Sequence, residues 1–353
     1  MMSRYFRIIC LVRFPVYSFL CMLFLLVLET EIYAQKSERV FRIMEYNVEN
    51  LFDAEHDSLK QDYDFLPKGS YQWTKGKYWR KLNAVARGII LASTVKRNDG
   101  SDAEVLQIPD IVGLCEVEND SVMTYLVRRS LLRGAGYEYL MTSSPDERGV
   151  DVALLYQPVS FRLLSSESLR VDTLPGMKPT RDILYVKGET LDGMLHVYVV
   201  HAPSRSVGEG LTRHFRTAVV RRLCQSVDSV MTADSDACVV VMGDFNDYTG
   251  DESLLYMSKH QLCDITAHGF IKESKRIGGT YRYRGDWGSL DHIFVSPAML
   301  RRFVSSEIAS HPELVEEDEK YGGVKPYRFF RGPTIHGGFS DHLPLMAVFS
   351  LGD

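Results

Sequence analysis

An α/β sandwich folded as one domain is the architecture this sequence predicts, and three observations carry the prediction. Short apolar runs of strand length recur between amphipathic helical stretches. The segment Leu191-Asp192-Gly193 makes a good hairpin turn because Asp-Gly tolerates positive φ, so antiparallel neighbours mix with crossover helices. No repeat, low-complexity tract or Pro/Gly/Ser-rich linker divides the chain, and its chemically suggestive segments spread from Asn47 to His342, which one site would require to fold together.

Taken in order, the predicted strands are Val40–Tyr46, Asp110–Cys115, Tyr137–Met141, Asp151–Tyr156, Ile183–Lys187, Leu195–Val200, Ala237–Met242, Ser289–Val295 and Leu345–Phe349. Helices are predicted over Trp79–Ser93, Ser121–Arg133 and Leu211–Met231. Two polar stretches, Asp53–Lys77 and His311–Gly338, are long for simple connections and are expected to form rims around a site.

The N-terminus is set apart from this domain. Arg4, Arg7 and Arg13 precede or open an apolar run, Phe14 to Leu28, and small Ala34 stands before Gln35, the pattern of a secretory signal over residues 1–34. The run is short for a hydrocarbon core of ~30 Å, so no stable membrane span is expected after cleavage. The expectation is therefore an exported protein, periplasmic or secreted, with a monomeric catalytic domain over residues 35–353.

Composition narrows the partners. At 353 residues, 45% hydrophobic and 25% charged, the chain has an ordinary globular balance that excludes collagen-like, coiled-coil and disordered classes. Its net charge of -5 argues against binding nucleic acid mainly through bulk positive charge. Six cysteines in so long a chain are not a disulfide scaffold. Of the four beyond the leader, Cys115 and Cys238 sit in apolar runs and read as small buried hydrophobes, and none, Cys224 and Cys263 included, has metal-ligand spacing.

Six segments share one pattern, an apolar strand ending in Asn, Asp, Glu or His. They are Met44-Glu45-Tyr46-Asn47-Val48-Glu49-Asn50, Val112-Gly113-Leu114-Cys115-Glu116, Val199-Val200-His201-Ala202-Pro203-Ser204, Val241-Met242-Gly243-Asp244-Phe245-Asn246, Ser289-Leu290-Asp291-His292 and Gly338-Phe339-Ser340-Asp341-His342. A carboxylate at the end of a buried strand is costly unless paired, hydrogen-bonded or bound to a cation. A lone Asp after a strand is more often a turn or cap residue, and a lone His more often structural. Six such ends in one chain point to a common ion site.

The order of these motifs resembles the endonuclease/exonuclease/phosphatase superfamily, with Gly243-Asp244-Phe245-Asn246 and Ser340-Asp341-His342 as its most specific marks. The resemblance covers about Phe41 to Phe349. It implies a four-layer DNase I-like α/β sandwich, two mixed sheets packed together and flanked by helices. It also implies Mg²⁺-dependent phosphoester hydrolysis at one edge, with Mn²⁺ as the alternative ion.

Residue by residue, the resemblance makes Glu116 a metal ligand, with Glu49 and Asp341 completing the acidic cluster that a hard ion wants. Asn47 and Asn246 match amides that hold the phosphate. His342 with Asp291 matches the His–Asp pair that takes a proton from water or stabilises the transition state, and Asp244 matches the residue that orients the water. His201 matches a general acid for the leaving oxygen, and Asp151 its carboxylate partner. Arg181 stands where a phosphate-contacting Arg is expected, with Arg148 and Arg205 as further candidates. Arg216, Arg221 and Arg222 read as surface or packing residues on a helix.

The substrate stays open at this level. A phosphoester is implied, with nucleic acid among the candidates, because the His201 segment looks like the DNase I branch. Small, sugar, inositol or lipid phosphoesters are the alternative, and an inactive relative acting as a binding protein is the rival from another class. The abasic-endonuclease Tyr motif is absent. Thr280-Tyr281-Arg282-Tyr283-Arg284-Gly285-Asp286-Trp287 reads equally as an aromatic and Arg surface for a base or sugar, or as a strand with packed tyrosines.

Overall fold

The computed structural model describes residues 39–96, 103–205, 208–266 and 277–352. The leader expected over residues 1–34 lies outside the described residues. Phe41–Ser350 makes one compact unit, which holds the site described below.

Twelve strands build two large sheets: β1 (Arg39–Leu51), β2 (Ile111–Val117), β3 (Glu138–Met141), β4 (Asp151–Tyr156), β5 (Arg162–Leu169), β6 (Ile183–Thr190), β7 (Gly193–His201), β8 (Cys238–Asp244), β9 (Cys263–Asp264), β10 (Asp291–Val295), β11 (Phe303–Ile308) and β12 (Leu345–Leu351). One sheet has the order β11-β12-β1-β2-β4-β3 and the other β9-β10-β8-β7-β6-β5. In each, a parallel pair sits at the centre, β1 with β2 and β7 with β8, and β2 pairs antiparallel with β4, β7 with β6 and β8 with β10. The predicted hairpin closes β6 onto β7, with Thr190 opposite Gly193 and Gly193 at φ 110°.

Strand alternation sorts side chains between two environments. On β1, Met44, Tyr46 and Val48 pack against α1 (Lys75–Ala92) and α2 (Asp120–Arg128), together with Val112 and Leu114 of β2. Tyr198 and Val200 of β7 and Val239 and Val241 of β8 pack likewise against α3 (Glu209–Ala233) and α4 (Glu252–Ser258). The opposite parity faces the seam between the sheets. There the approach is close: a Cβ on Gly113 would lie 2.9 Å from the Met242 sulfur, and the Cys115 thiol donates to the Val200 carbonyl at 3.3 Å. Helices outside and two sheets inside make the four layers.

Three strands, β5, β9 and β11, and the helix α4 are absent from the sequence reading, and one predicted helix ends early. The edge strand β5 reads RLLSSESL and is mostly exposed, so it has neither an apolar run nor a clean alternation to announce it. β11 is also an edge, and α4 is only two turns long. The helix expected to reach Arg133 stops at Arg128. Ser130 then caps a 3₁₀ turn, its hydroxyl accepting from the Leu132 N–H. All four cysteines of the domain are free. Among the described residues, no helix is long and apolar enough to cross a membrane.

Gly243 shows how tightly the sheet constrains one motif position. Its φ is 147°, and a Cβ there would lie 1.9 Å from the Val200 carbonyl oxygen. Gly210, near the start of α3, has open space around it. Urea denaturation should therefore find Gly243→Ala destabilised by about 3 kcal/mol or more, whereas Gly210→Ala stays within about 1 kcal/mol of wild type. Equal stability of the two variants would contradict this reading of the turn.

Candidate active site

The seam parity that buries Ile43 and Met242 also carries polar residues at its open end. Glu45 and Asn47 follow Ile43 on β1, His201 follows Val197 and Val199 on β7, Asp244 follows Val240 and Met242 on β8, and Asp291 stands on β10 with Ile293 and Val295. They border a cavity of about 780 Å³ lined by Asn47, Glu49, Glu116, Arg148, His201, Arg205, Asp244, Asn246, Arg328, Asp341 and His342, with Tyr71, Tyr248, Tyr281 and Tyr283 among the walls. Alternation thus brings separate strand ends to one place.

Some residues reach the cavity only by breaking the alternation. Glu116 has the parity of Val112 and Leu114, which face the helices. A register shift between Cys115 and Val117, with Glu116 at φ 68°, turns it inward. Glu49 (φ 53°), Asn50 (φ 58°) and Asn246 (φ 52°) adopt the same left-handed backbone. Such conformations cost on the order of 1–3 kcal/mol each and persist where the surroundings over-determine them. Here the Asn50 N–H donates to Glu116 Oε2 at 2.9 Å, and the Asn246 N–H donates to Asp244 Oδ1 at 2.8 Å.

At the centre, His342 Nδ1 lies 2.7 Å from Asp291 Oδ2, which also accepts the Thr280 hydroxyl. Burial opposes a charged ring, but Asp291, through its charge and hydrogen bond, with Asp244 and Asp341, outweighs it and holds the His342 pKa well above the usual imidazole value. Ser340 ties this segment to β1, its hydroxyl donating to the Asn47 carbonyl at 2.6 Å and accepting the His342 N–H. Asp244 accepts Asn47 Nδ2 at 2.9 Å on its other oxygen. Burial pushes the Asp244 pKa up to about 7 despite the opposing pull of His342.

One ligating atom from each of Asp244, Asp291 and His342 lies within 4.8 Å of the others. Asp291 Oδ2 already pairs with His342 and Thr280, and Asp244 with Asn47 and the Asn246 N–H. Glu116 fits a divalent ion better: Oε2 takes the Asn50 N–H, and Oε1 lies 3.9 Å from His201 Nε2. A hard, hydrated ion needs few protein oxygens. The acidic cluster expected from sequence divides here, because Arg328 bridges Glu49 and Asp341.

Two expected roles are corrected. Asp151 does not meet His201. Its carboxylate accepts the Thr142 hydroxyl at 2.6 Å and the Ser144 N–H at 3.0 Å, bracing the turn that enters β4, while His201 Nδ1 is buried without a partner. Arg181 is not a cavity residue. It is buried, donating to Asp146 at 3.2 Å and to the Ala202 carbonyl at 3.1 Å. Burial, then Arg181 and Arg148, hold the His201 pKa well below its usual value, so the ring is neutral at pH 7.

The remaining candidates fall on the cavity wall. Arg148 is half exposed, 4.0 Å from Asp146. Arg205 lies over the Tyr248 ring at 4.6 Å and pairs with Glu209 and Asp251. Asn246 Nδ2 donates to the Ala202 carbonyl at 3.1 Å. Arg216 proves to be a packing residue, fully buried and 2.6 Å from Asp247. In the Tyr281–Tyr283 ribbon, the two tyrosines line the cavity, whereas Arg282 turns away to the Gly285 and Gly322 carbonyls.

Three contributors escaped the sequence reading. Arg328 comes from the second predicted rim, and Tyr71 from the first. Tyr71 meets Phe330 of the other rim with ring centroids 5.1 Å apart. Glu45 is fully buried, and its position two residues before Asn47 on the same strand face was the available signal. Burial, then the charges of Asp291 and Asp244, push its pKa well above the carboxylate range. Its protonated form is thereby favoured. It can donate to Asp291, whose Oδ1, like Glu45 Oε2, has no other partner.

Fold and site together define a phosphoester hydrolase of the two-sheet sandwich class. Over residues 42–350 the sequence matches the Endonuclease/Exonuclease/phosphatase family, and the chain belongs to that family, whose members are metal-dependent phosphoester hydrolases. No curated protein sequence matches. Among solved structures, the human nocturnin catalytic domain with bound sulfate is similar at 20% identity and TM-score 0.52, covering 89% of this chain and 95% of that one. An endonuclease/exonuclease/phosphatase family protein from Bacteroides thetaiotaomicron gives 16% identity and TM-score 0.54, over 90% and 100%. D. rerio TDP2 complexed with a single-strand DNA product gives 17% and 0.53, over 89% and 100%. These likenesses support the fold.

If Glu45 is a neutral donor, Glu45→Gln keeps the hydrogen bond to Asp291 and Glu45→Ala removes it. Stability and kcat/KM on bis-p-nitrophenyl phosphate should stay near wild type for Gln, within about threefold in rate. Ala should lose about 2 kcal/mol and about tenfold in rate. Equal damage from both variants would show that Glu45 acts as a carboxylate.

Proposed function

We propose that this chain is an exported, divalent-metal-dependent phosphodiesterase of nuclease type, hydrolysing P–O bonds by in-line attack of water. The observation that carries the reading is the meeting, on one cavity, of the Asp291–His342 pair, the Asn47–Asp244–Asn246 cluster and Glu116 with an unclaimed oxygen. The arginine-led apolar segment before Gln35 supports export.

Each group has a role that its surroundings suit. Asp244, held by Asn47 and the Asn246 N–H, orients the attacking water and accepts its proton. His342, charged and anchored through Nδ1, offers Nε2 to a phosphoryl oxygen and stabilises the transition state. His201, being neutral, assists the leaving oxygen by hydrogen bonding rather than as a charged acid. Asn47 and Asn246 each retain one amide hydrogen for the phosphate, and Arg148 adds charge from the wall. Glu116 would hold the ion, Mg²⁺ or Mn²⁺, which supplies positive charge at the phosphoryl group.

A nucleic-acid strand is the substrate class we favour. Tyr71, Tyr248, Tyr281 and Tyr283 supply stacking faces on the cavity wall, and a stacked base is worth roughly 1–3 kcal/mol. The DNA product bound by the structurally similar TDP2 is consistent with this choice. With a net charge of -5, attraction must come from the ion and local arginines.

The test takes the chain recovered from the exported fraction, expected to begin at Gln35, and offers it single-stranded DNA, RNA, sphingomyelin, inositol phosphates and sugar phosphates. Cleavage of the nucleic acids, abolished by EDTA and lowered at least about 100-fold in Glu116→Gln, is expected. EDTA-resistant hydrolysis would refute the metal dependence. Turnover confined to a small phosphoester or lipid would refute the nuclease assignment, and a chain retained in the cytosol would refute export.

A further inference from the structure

Arg328 enters the site from the segment between Val324–Pro326 and Phe330–Arg331, and it is held on two sides. Its Nε and Nη2 donate to Glu49 Oε1 at 3.1 and 3.0 Å, and Nη2 also donates to Asp341 Oδ2 at 2.9 Å. The second Glu49 oxygen accepts the Phe329 N–H at 2.7 Å and the Phe330 N–H at 3.4 Å. Glu49 is therefore a buried carboxylate with both oxygens hydrogen-bonded, and one of its partners is a permanent cation.

A second fixed cation stands behind this pair. Lys81 is completely buried on the apolar face of α1, donating to the Phe339 carbonyl at 2.8 Å, and its ammonium lies 4.9 Å from the centre of the Phe329 ring. Arg328 pairs with both acids, and the charges of Glu49 and Asp341 act on Lys81 as well. Among the described residues Glu116 has no comparable partner: its Oε1 makes one ion-pair contact, with His201 Nε2 at 3.9 Å.

We propose that Arg328 takes the place of a second divalent cation, so that the chain holds one divalent ion on the Glu116 side and a guanidinium on the Glu49–Asp341 side. The proposal rests on the metal-dependent reading above and specifies how its acidic cluster is shared. A divalent ion placed between Glu49 and Asp341 would have to displace the guanidinium, whose Nη2 donates to both carboxylates at 3.0 and 2.9 Å. A planar guanidinium matches two carboxylates there by geometry as well as by charge.

Metal-free protein titrated with Mn²⁺, with free ion followed by electron paramagnetic resonance, counts the sites directly. Wild type should bind one Mn²⁺ per chain and Arg328→Gln two. Glu49→Gln should keep the wild-type affinity within about threefold, whereas Glu116→Gln weakens it at least about 100-fold. Two ions in wild type, one ion in folded Arg328→Gln, or a 100-fold loss in Glu49→Gln would each overturn the assignment. Should Arg328→Gln fail to fold, the wild-type count and the Glu49→Gln affinity decide alone. A count of one with no turnover of any phosphoester would refute the enzymatic reading while leaving the role of Arg328 intact.

Discussion

Three carboxyl groups, Glu45, Asp244 and Asp291, sit in the seam between two apolar sheets, each no more than 2% exposed. Isolated carboxylates cannot remain charged in such a place, since their desolvation costs several kcal/mol apiece even after relaxation. The protein resolves the conflict with unlike devices. The Asp291 carboxylate holds the His342 pKa up, the Asn47 amide and the Asn246 N–H donate to Asp244, and burial with the neighbouring acids raises the Glu45 pKa. These groups hold one another in place, so the catalytic geometry and the charge compensation are the same set of contacts.

The cavity rim obeys a second form of the same constraint. Glu49, on the irregular end of β1, and Asp341 pair with Arg328 from a loop, and Lys81 of the outer helix α1 acts on both acids through its charge. Glu116 remains the carboxylate with an available oxygen and no cationic partner at short range. In the proposed reading the site separates into a proton-handling half, built on strand ends, and an ion-handling half, built on residues that leave strand alternation. Left-handed backbone at Glu49, Asn50, Glu116 and Asn246 marks that boundary.

The sequence was readable where periodicity and chemistry coincided. The strands carrying Asn47, His201, Asp244 and Asp291 are apolar runs whose polar ends share one parity, so both the fold and the strand-borne half of the site were visible. Edge strands β5 and β11 were not, because half-exposed polar strands have no apolar signature. Arg328 was hidden for another reason: it belongs to an irregular loop, and its importance comes from contacts more than 270 residues away, with Glu49. Asp151 was placed beside His201 by resemblance, whereas a local hydrogen bond to Thr142, nine residues away, claimed it first. Buried Lys81 reads as a break in an amphipathic stripe and gains meaning only once the acids beneath it are located.

The central claim is that Asp291 and His342 act as one unit on the phosphoryl group. A double-mutant cycle measures this directly: kcat/KM for metal-loaded wild type, Asp291→Asn, His342→Ala and the double variant on bis-p-nitrophenyl phosphate. The account predicts a loss of about 10³-fold or more for each single change and little further loss, under about tenfold, for the pair. Single losses that multiply in the double variant would show that the two residues act independently and would contradict it.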